Sequence, residues 1–174
     1  MAIEMKQWTL EQKVGQLFVC GFHDIVPDSQ IQQLIERYHI GGVIYFRRNI
    51  GTAAQIHRLS ANLQDIARQH GLPPLLIAID QEGGMVSRID QEELSLIPGN
   101  MSLGAADDLE LTAAAATISA RELRALGINV NFAPCVDVNN NPRNPVIGVR
   151  SYSEKPESVG RHGAAAIRAM QAQG

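Results

Sequence analysis

The chain has 174 residues, of which 45% are hydrophobic and 19% are charged, and its formal net charge is −3. That length and composition suit one domain with an apolar core, and the acidic balance argues against nucleic acid, whose phosphates require a basic face. We expect no membrane partner and a cytoplasmic location, because the apolar runs are strand-sized and residues 1–10 contain no signal-peptide core.

Strands and helices alternate along the sequence. In chain order, the predicted elements are a short helix opened by the capping-box pair Thr9 and Gln12, a strand over 17–22, a helix from Asp28 to Tyr38, a strand over 43–46, a helix over 52–70, a strand over 75–79 that is apolar on both faces, a helix over 107–126, a strand over 129–134 and a helix from Pro156 to the end. Four strand–helix units of this kind predict a parallel sheet.

Two architectures fit such a sheet: an open doubly wound sheet, or the first half of a (β/α)8 barrel. A doubly wound dinucleotide-binding fold requires a Gly-x-Gly-x-x-Gly turn after an early strand, which neither Gly15–Gly21 nor Gly41-Gly42 supplies. The unusual residues follow the third and fourth strands, where barrel enzymes place their sites. We therefore predict an α/β fold over residues 1–174: about four βα units, the first half of a (β/α)8 TIM-type barrel.

The run Asp80-Gln81-Glu82-Gly83-Gly84 follows the third strand directly, and Arg88 comes shortly after it. A carboxylate accepts hydrogen bonds from sugar hydroxyls and a guanidinium donates to their oxygens, so Asp80 and Arg88 together could bind neighbouring hydroxyls. The alternative is that the two residues form only an ion pair that fixes the loop. Glu82 could serve as a general acid, although capping of a backbone amide is the simpler interpretation.

Asn and Pro are dense between residues 139 and 152, which predicts an ordered, turn-rich loop after the fourth strand. Ordered loops at this position of a barrel commonly bind ligands. Arg150 is the better candidate for the site, and Arg143 is expected to brace the loop against Asp137 or a carbonyl. Asp137 itself is interpreted as structural.

The remaining reactive side chains form no recognisable catalytic or metal pattern. Cys20 and Cys135 lack further ligands at metal-like spacing, so two buried free thiols are expected rather than a disulfide or a metal site. His23 follows the first strand and could touch a ligand. The other histidines are predicted to be surface or packing residues: His39, His57, His70 and His162. We expect no cofactor and no metal.

The chain resembles the bacterial β-N-acetylglucosaminidases of glycoside hydrolase family 3. The segments that carry the resemblance are Val14-Gly15-Gln16-Leu17-Phe18 with Gly21-Phe22, Gly41-Gly42-Val43-Ile44, Asp80-Gln81-Glu82-Gly83-Gly84 through Val86 and Arg88, and Asn131-Phe132-Ala133-Pro134 through Asp137, Asn144-Pro145-Val146-Ile147-Gly148 and Arg150-Ser151. Together they extend over nearly the whole chain, and the third and fourth are specific. Met85 and Val149 stand where many relatives carry charged residues.

The resemblance implies a barrel enzyme that hydrolyses terminal non-reducing N-acetyl-β-D-hexosamine residues with retention of configuration. By the same resemblance, Asp80, Arg88 and Arg150 bind the terminal sugar of an N-acetylglucosamine-containing saccharide. The family's Asp nucleophile and His–Asp acid/base are expected beyond Gly174, so no catalytic residue is assigned. Peptidoglycan fragments recycled inside the cell are the implied substrates.

Retaining hydrolysis needs both an acid/base and a nucleophile, so these 174 residues by themselves are expected to be inactive. Hydrolysis of a chromogenic N-acetylglucosaminide above a heat-killed control would contradict this. Two interpretations stay open: a fragment or truncated product of a hexosaminidase, or else a non-catalytic sugar-binding or assembly module, or a pseudogene product. The unpaired edges of a half barrel predict self-association, which a monodisperse monomer would contradict.

Overall fold

The computed structural model describes residues 8–90 and 94–174. The helices are α1 (Leu10–Gly15), α2 (Ser29–Glu36), α3 (Ala53–Gln69), α4 (Asn100–Ala106), α5 (Leu109–Ala125) and α6 (Pro156–Gln171). The strands are β1 (Val19–Cys20), β2 (Gly42–Tyr45), β3 (Leu76–Ile79) and β4 (Val130–Asn131), and single 3-10 turns occupy Arg47–Asn49 and Gly148–Arg150. In the part of the chain so described, no helix has both the length and the apolar character needed to cross a membrane.

The strands form one sheet in the order β1-β2-β3-β4. β1 is parallel to β2 and β2 is parallel to β3, with Gly42 opposite Leu76 and Tyr45 opposite Ile79. A doubly wound sheet places later strands on the other side of the first strand, whereas a barrel adds its strands in sequence. The sequential order therefore agrees with the barrel prediction.

The residues divide into two compact units. The first contains the described residues of Met1–Ile79 together with Leu126–Val130, and the second contains those of Asp80–Ala125 and Asn131–Gly174. The strands β1 to β3 belong to the first unit, and β4 lies at the boundary. The three residues predicted to bind the sugar belong to the second unit: Asp80, Arg88 and Arg150.

Side-chain caps begin the helices of the first unit where the sequence predicts them. The predicted capping box is present, since Thr9 accepts from the backbone N–H of Gln12 and the Gln12 amide accepts from that of Thr9. Asp28 caps α2 and Thr52 caps α3 in the same way. Between these helices and the strands lies a core of fully buried side chains that includes Phe22, Ile31, Ile35, Val43, Tyr45, Ile56, Leu59, Leu63, Ile77 and Ile79.

Three strand predictions need correction. β1 is shorter than 17–22, because the backbone N–H groups of Leu17 and Phe18 still donate to the carbonyls of Val14 and Gly15 in a turn that follows α1. β4 is shorter than 129–134: Asn129 uses its side chain as well as its backbone to bond β3, and Pro134 has no N–H to offer a ladder. Leu76 is half exposed, so β3 is not buried throughout.

The second unit contains a helix that the sequence does not reveal. α4 has only seven residues, an interior glycine and an N-cap glycine without a side-chain bond, so it lacks both a capping signal and a long apolar stripe. Asp107 then adopts a left-handed conformation with φ 46°, and the Asp108 carboxylate caps α5. α6 begins at Pro156, as predicted.

His162 is not a surface residue, since its side chain is fully buried on α6. Its Nδ1 lies 2.8 Å from the Thr112 hydroxyl, and its ring stacks on Tyr152 with 5.1 Å between centroids. Tyr152 packs with Leu103 and Val159 in the core of the second unit. The packing alternative for His162 is therefore the correct one.

Candidate functional site

The candidate site lies in the second unit and begins at the turn that follows Asp80. The backbone N–H of Glu82 donates to the Val86 carbonyl at 2.8 Å, which closes a tight turn over 82–86. Gly83 and Gly84 have φ values of 90° and 56°, in the left-handed region that favours glycine. A Cβ on Gly84 would lie 2.8 Å from the Cα of Gly99, so a side chain there would also collide with backbone.

Gln81 holds this turn in place from inside the protein. Its buried amide accepts hydrogen bonds from the backbone N–H groups of Arg88 and Ile89 and donates to the Ile89 carbonyl, at 2.8, 3.1 and 3.0 Å. The Asn131 side chain bonds the N–H and the carbonyl of Gln81 in turn. The Gln81 side chain thus fixes the backbone position of Arg88.

Replacing Gln81 by alanine is expected to lower the free energy of unfolding by about 2–3 kcal/mol, because buried backbone groups lose their partners. Urea denaturation of the complete gene product measures this loss. The matched control is Gln33→Ala, at an exposed position on α2, which should change stability by less than about 0.5 kcal/mol. Equal effects of the two substitutions would contradict the assigned role of Gln81.

Asp80 and Arg88 form the predicted ion pair, with Asp80 Oδ2 2.9 Å from Arg88 Nη2. The pair is not sealed from solvent, since the side chains are 26% and 32% exposed. Within the described residues Arg88 Nε is buried without a hydrogen-bond partner, which costs free energy. The ion pair therefore fixes Arg88 and still leaves carboxylate and guanidinium surface for a ligand.

Arg150 and Glu82 form an ion pair with two hydrogen bonds at the site. Arg150 Nε donates to Glu82 Oε2 at 2.9 Å and Arg150 Nη2 donates to Glu82 Oε1 at 2.6 Å, which is the bidentate geometry that adds strength and orientation. The Glu82 side chain is only 7% exposed. The sequence suggested a general acid or an amide cap for Glu82. The structure shows instead that its carboxylate orients Arg150.

Arg150 keeps donors for a ligand despite this contact. Its Nη1 donates to the Val146 carbonyl at 3.2 Å, so Glu82 and Val146 engage three of the five N–H groups that a guanidinium carries. The hydrogen bonds to Glu82 raise the pKa of Arg150 above its ordinary value. The side chain is consequently a permanent, oriented cation.

The backbone around Arg150 is held by two polar residues, Asn100 and Ser151, to which the sequence assigned no role in the site. The buried Asn100 amide donates to the carbonyls of Arg150 and Cys135, at 2.8 and 3.3 Å. The fully buried Ser151 hydroxyl lies 2.6 Å from the Asp137 carbonyl. Asn100 acts from α4, the helix that carries no sequence signal, whereas Ser151 belongs to the Arg-Ser pair of the resembling motif.

Several minor predictions have a mixed outcome. Arg143 is exposed, and among the described residues its side chain bonds neither Asp137 nor a carbonyl, so the predicted brace is not formed. The Cys135 thiol donates to Asp137 instead, at 3.3 Å. Both cysteines are free thiols; Cys135 is buried as predicted, and Cys20 is only partly buried. Burial raises the pKa of the Cys135 thiol, so it stays protonated. His23 is exposed in the first unit.

Two loops of the second unit together provide hydrogen-bond acceptors and oriented donors, from Asp80, Glu82, Arg88 and Arg150. Such a set binds and orients hydroxyl and carbonyl groups. Across residues 8–90 and 94–174, no three His, Cys, Asp or Glu side chains are placed to hold a metal ion. The arrangement is chemically suited to a polar ligand.

Residues 9–174 match the family model described as the glycosyl hydrolase family 3 N terminal domain. The chain belongs to this family. Family 3 domains of this kind have a TIM-barrel-like α/β fold, so the predicted fold class is confirmed. The loop with Asp80 and the loop with Arg150 both lie inside the matched range.

Individual relatives agree with this assignment. The chain is 50% identical over 150 residues to "Beta-hexosaminidase A" of Pseudoalteromonas piscicida, covering 83% of the chain and 25% of the relative. A solved family 3 β-N-acetylglucosaminidase from Paenibacillus sp. str. FPU-7 is 54% identical with a TM-score of 0.93, covering 95% of the chain and 31% of that protein. NagZ from Neisseria gonorrhoeae, solved in complex with N-trifluoroacetyl-D-glucosamine, is 30% identical with a TM-score of 0.79, covering 90% and 46%.

The family 3 chain therefore spans about a quarter of the curated relative and less than half of either solved relative. The activities of those longer proteins involve residues outside the compared region. The comparison establishes the family and the fold of this part.

Proposed function

We propose that this family 3 chain provides the sugar-binding part of a retaining glycosidase that removes terminal non-reducing N-acetyl-β-D-hexosamine residues. In this proposal Asp80, Arg88 and Arg150 bind the hydroxyl and carbonyl oxygens of the terminal sugar. The nucleophile and the acid/base are expected outside the 174 residues, and that expectation stays a prediction.

The bidentate contact between Glu82 and Arg150 is the observation that carries the proposal. A buried carboxylate that uses both oxygens to orient a partly exposed guanidinium is an arrangement suited to recognition. The open Asp80–Arg88 pair supplies the complementary acceptor. Family membership, relatives named as hexosaminidases and a related protein solved with a glucosamine derivative add support.

Two finer points are proposals on the resemblance and the composition alone. Peptidoglycan fragments are the proposed substrates, and the cytoplasm is the proposed location. Self-association is proposed from the first unit, where Leu17, Phe18, Val19 and Leu76 are exposed apolar side chains on or beside β1 and β3. The exposed apolar side chains support self-association, and self-association is compatible with sugar binding because the candidate sugar site lies in the second unit.

The activity is tested on the complete product of the gene that encodes the chain. We expect it to release 4-nitrophenol from the N-acetyl-β-D-glucosaminide and to form the β-anomer first, as retention requires. The matched 4-nitrophenyl β-D-glucoside, which differs only in carrying a hydroxyl in place of the acetamido group, should be hydrolysed much more slowly. Equal rates on both glycosides, or first formation of the α-anomer, would contradict the proposal.

A further inference from the structure

A cleft of about 380 Å³ opens beside Arg150 in the second unit. It is lined by the turn at 83–85, Gly99, residues of α4 and the pair Val149–Arg150. Its volume is in the range of sites for small organic groups. The cleft shares Arg150 with the candidate sugar site, so a ligand bound there could extend into it.

The walls of this cleft are apolar and accessible. Met85 is 76% exposed, Val149 is 45% exposed and Met101 is 38% exposed. Clustered, accessible apolar side chains mark binding surfaces more often than single ones do. Methionine is flexible and polarisable, and its sulfur makes favourable contacts with aromatic rings.

Three of the described residues that line the cleft are glycines. Gly83, Gly84 and Gly99 carry no side chains, and a Cβ on Gly84 would lie only 2.8 Å from the Cα of Gly99. Two segments of main chain thus run against each other and leave a surface without protruding groups. This glycine-rich part of the lining accepts a flat group better than a branched one.

The polar groups of the lining are few. Arg150 and the Ser102 hydroxyl are the polar side chains among the described lining residues. A sugar ring presents hydroxyls around its edge and requires a polar partner for most of them. The cleft is therefore poorly suited to the terminal sugar itself.

We propose that this cleft binds the leaving group of the glycoside and selects a leaving group with a flat apolar ring, an aromatic ring above all. The inference rests on the proposed function, because Arg150 must hold the sugar for its substituent to enter the cleft. Met85 is the specificity-determining residue, as the most exposed wall of the cleft.

Binding of two uncleaved ligands to the complete gene product tests this. Phenyl and methyl N-acetyl-β-D-thioglucosaminide share the sugar and differ only in the group that would enter the cleft. Calorimetric titration should give a phenyl ligand bound about tenfold more tightly than the methyl ligand, through apolar and sulfur–ring contacts. Met85→Lys should reduce this preference to within about twofold, since an ammonium group keeps its water, and leave the affinity for the methyl ligand unchanged.

Leu111→Lys is the matched control, because Leu111 is an exposed apolar residue of the same unit that does not line the cleft. The Leu111→Lys variant should keep the tenfold preference for the phenyl ligand. Val149→Asp, which changes another wall of the cleft, should lose this preference as Met85→Lys does. Equal binding of both ligands by the unmodified protein, or an unchanged preference in Met85→Lys, overturns the inference and leaves the proposed function standing. Failure of both ligands to bind the unmodified protein overturns the proposed function itself.

Discussion

Glu82→Ala is expected to weaken the binding of methyl N-acetyl-β-D-thioglucosaminide about ten- to a hundredfold, because a misplaced guanidinium loses a charge-assisted hydrogen bond to the ligand worth about 1.5–3 kcal/mol. The substitution removes both carboxylate oxygens that hold Arg150, at 2.6 and 2.9 Å. The guanidinium keeps its charge but loses its orientation. Calorimetric titration of the complete gene product measures the change.

The same substitution should also destabilise the fold. Glu82 is nearly buried and Arg150 is partly exposed, so the loss is expected below the full cost of breaking a buried pair, at about 1–3 kcal/mol. Glu82→Gln keeps one acceptor oxygen and should have a smaller effect on affinity. Asp65→Asn is the control, because it breaks an exposed ion pair with Arg68 that is worth less than about 1 kcal/mol. Unchanged affinity in Glu82→Ala would refute the orienting role.

Asp80→Asn is expected to lower the affinity for the same ligand by about 1.5–3 kcal/mol, since a hydrogen bond to a charged acceptor has that value. The amide preserves the shape of the side chain and removes the charge that pairs with Arg88. The measurement is again a titration, accompanied by urea denaturation.

Stability separates the two substitutions. The Asp80–Arg88 pair is about a quarter to a third exposed, so its loss should cost less than about 1 kcal/mol of folding free energy. Asp80→Asn should thus impair binding with little unfolding, whereas Glu82→Ala should impair both. A purely structural ion pair, the alternative considered from the sequence, predicts the reverse for Asp80→Asn: lower stability and unchanged affinity.

Local patterns predicted much of the fold. The caps Thr9, Asp28 and Thr52 begin helices where the sequence indicated them, because a side-chain cap depends only on residues three positions apart. Gly83 and Gly84 permit the tight turn that follows Asp80, since few other residues adopt their φ values. Asp80 and Arg88 are close in sequence, and their pairing could be anticipated.

The contacts that build the site were not predictable in the same way. Glu82 and Arg150 are 68 residues apart, and no periodicity or spacing relates one loop to another over such a separation. Asn100 acts from α4, a helix too short to show an apolar stripe. Only the tertiary structure brings Glu82 and Arg150 together. The sequence therefore suggested the wrong role for Glu82, that of a general acid or an amide cap.

The central claim is that Asp80 and Arg150 bind the terminal sugar, and a crystal structure of the complete gene product with N-acetylglucosamine tests it most directly. The account predicts sugar oxygens within about 3.2 Å of the Asp80 carboxylate and the Arg150 guanidinium, with Glu82 still paired to Arg150. A sugar bound elsewhere, with both side chains contacting only protein, would contradict it.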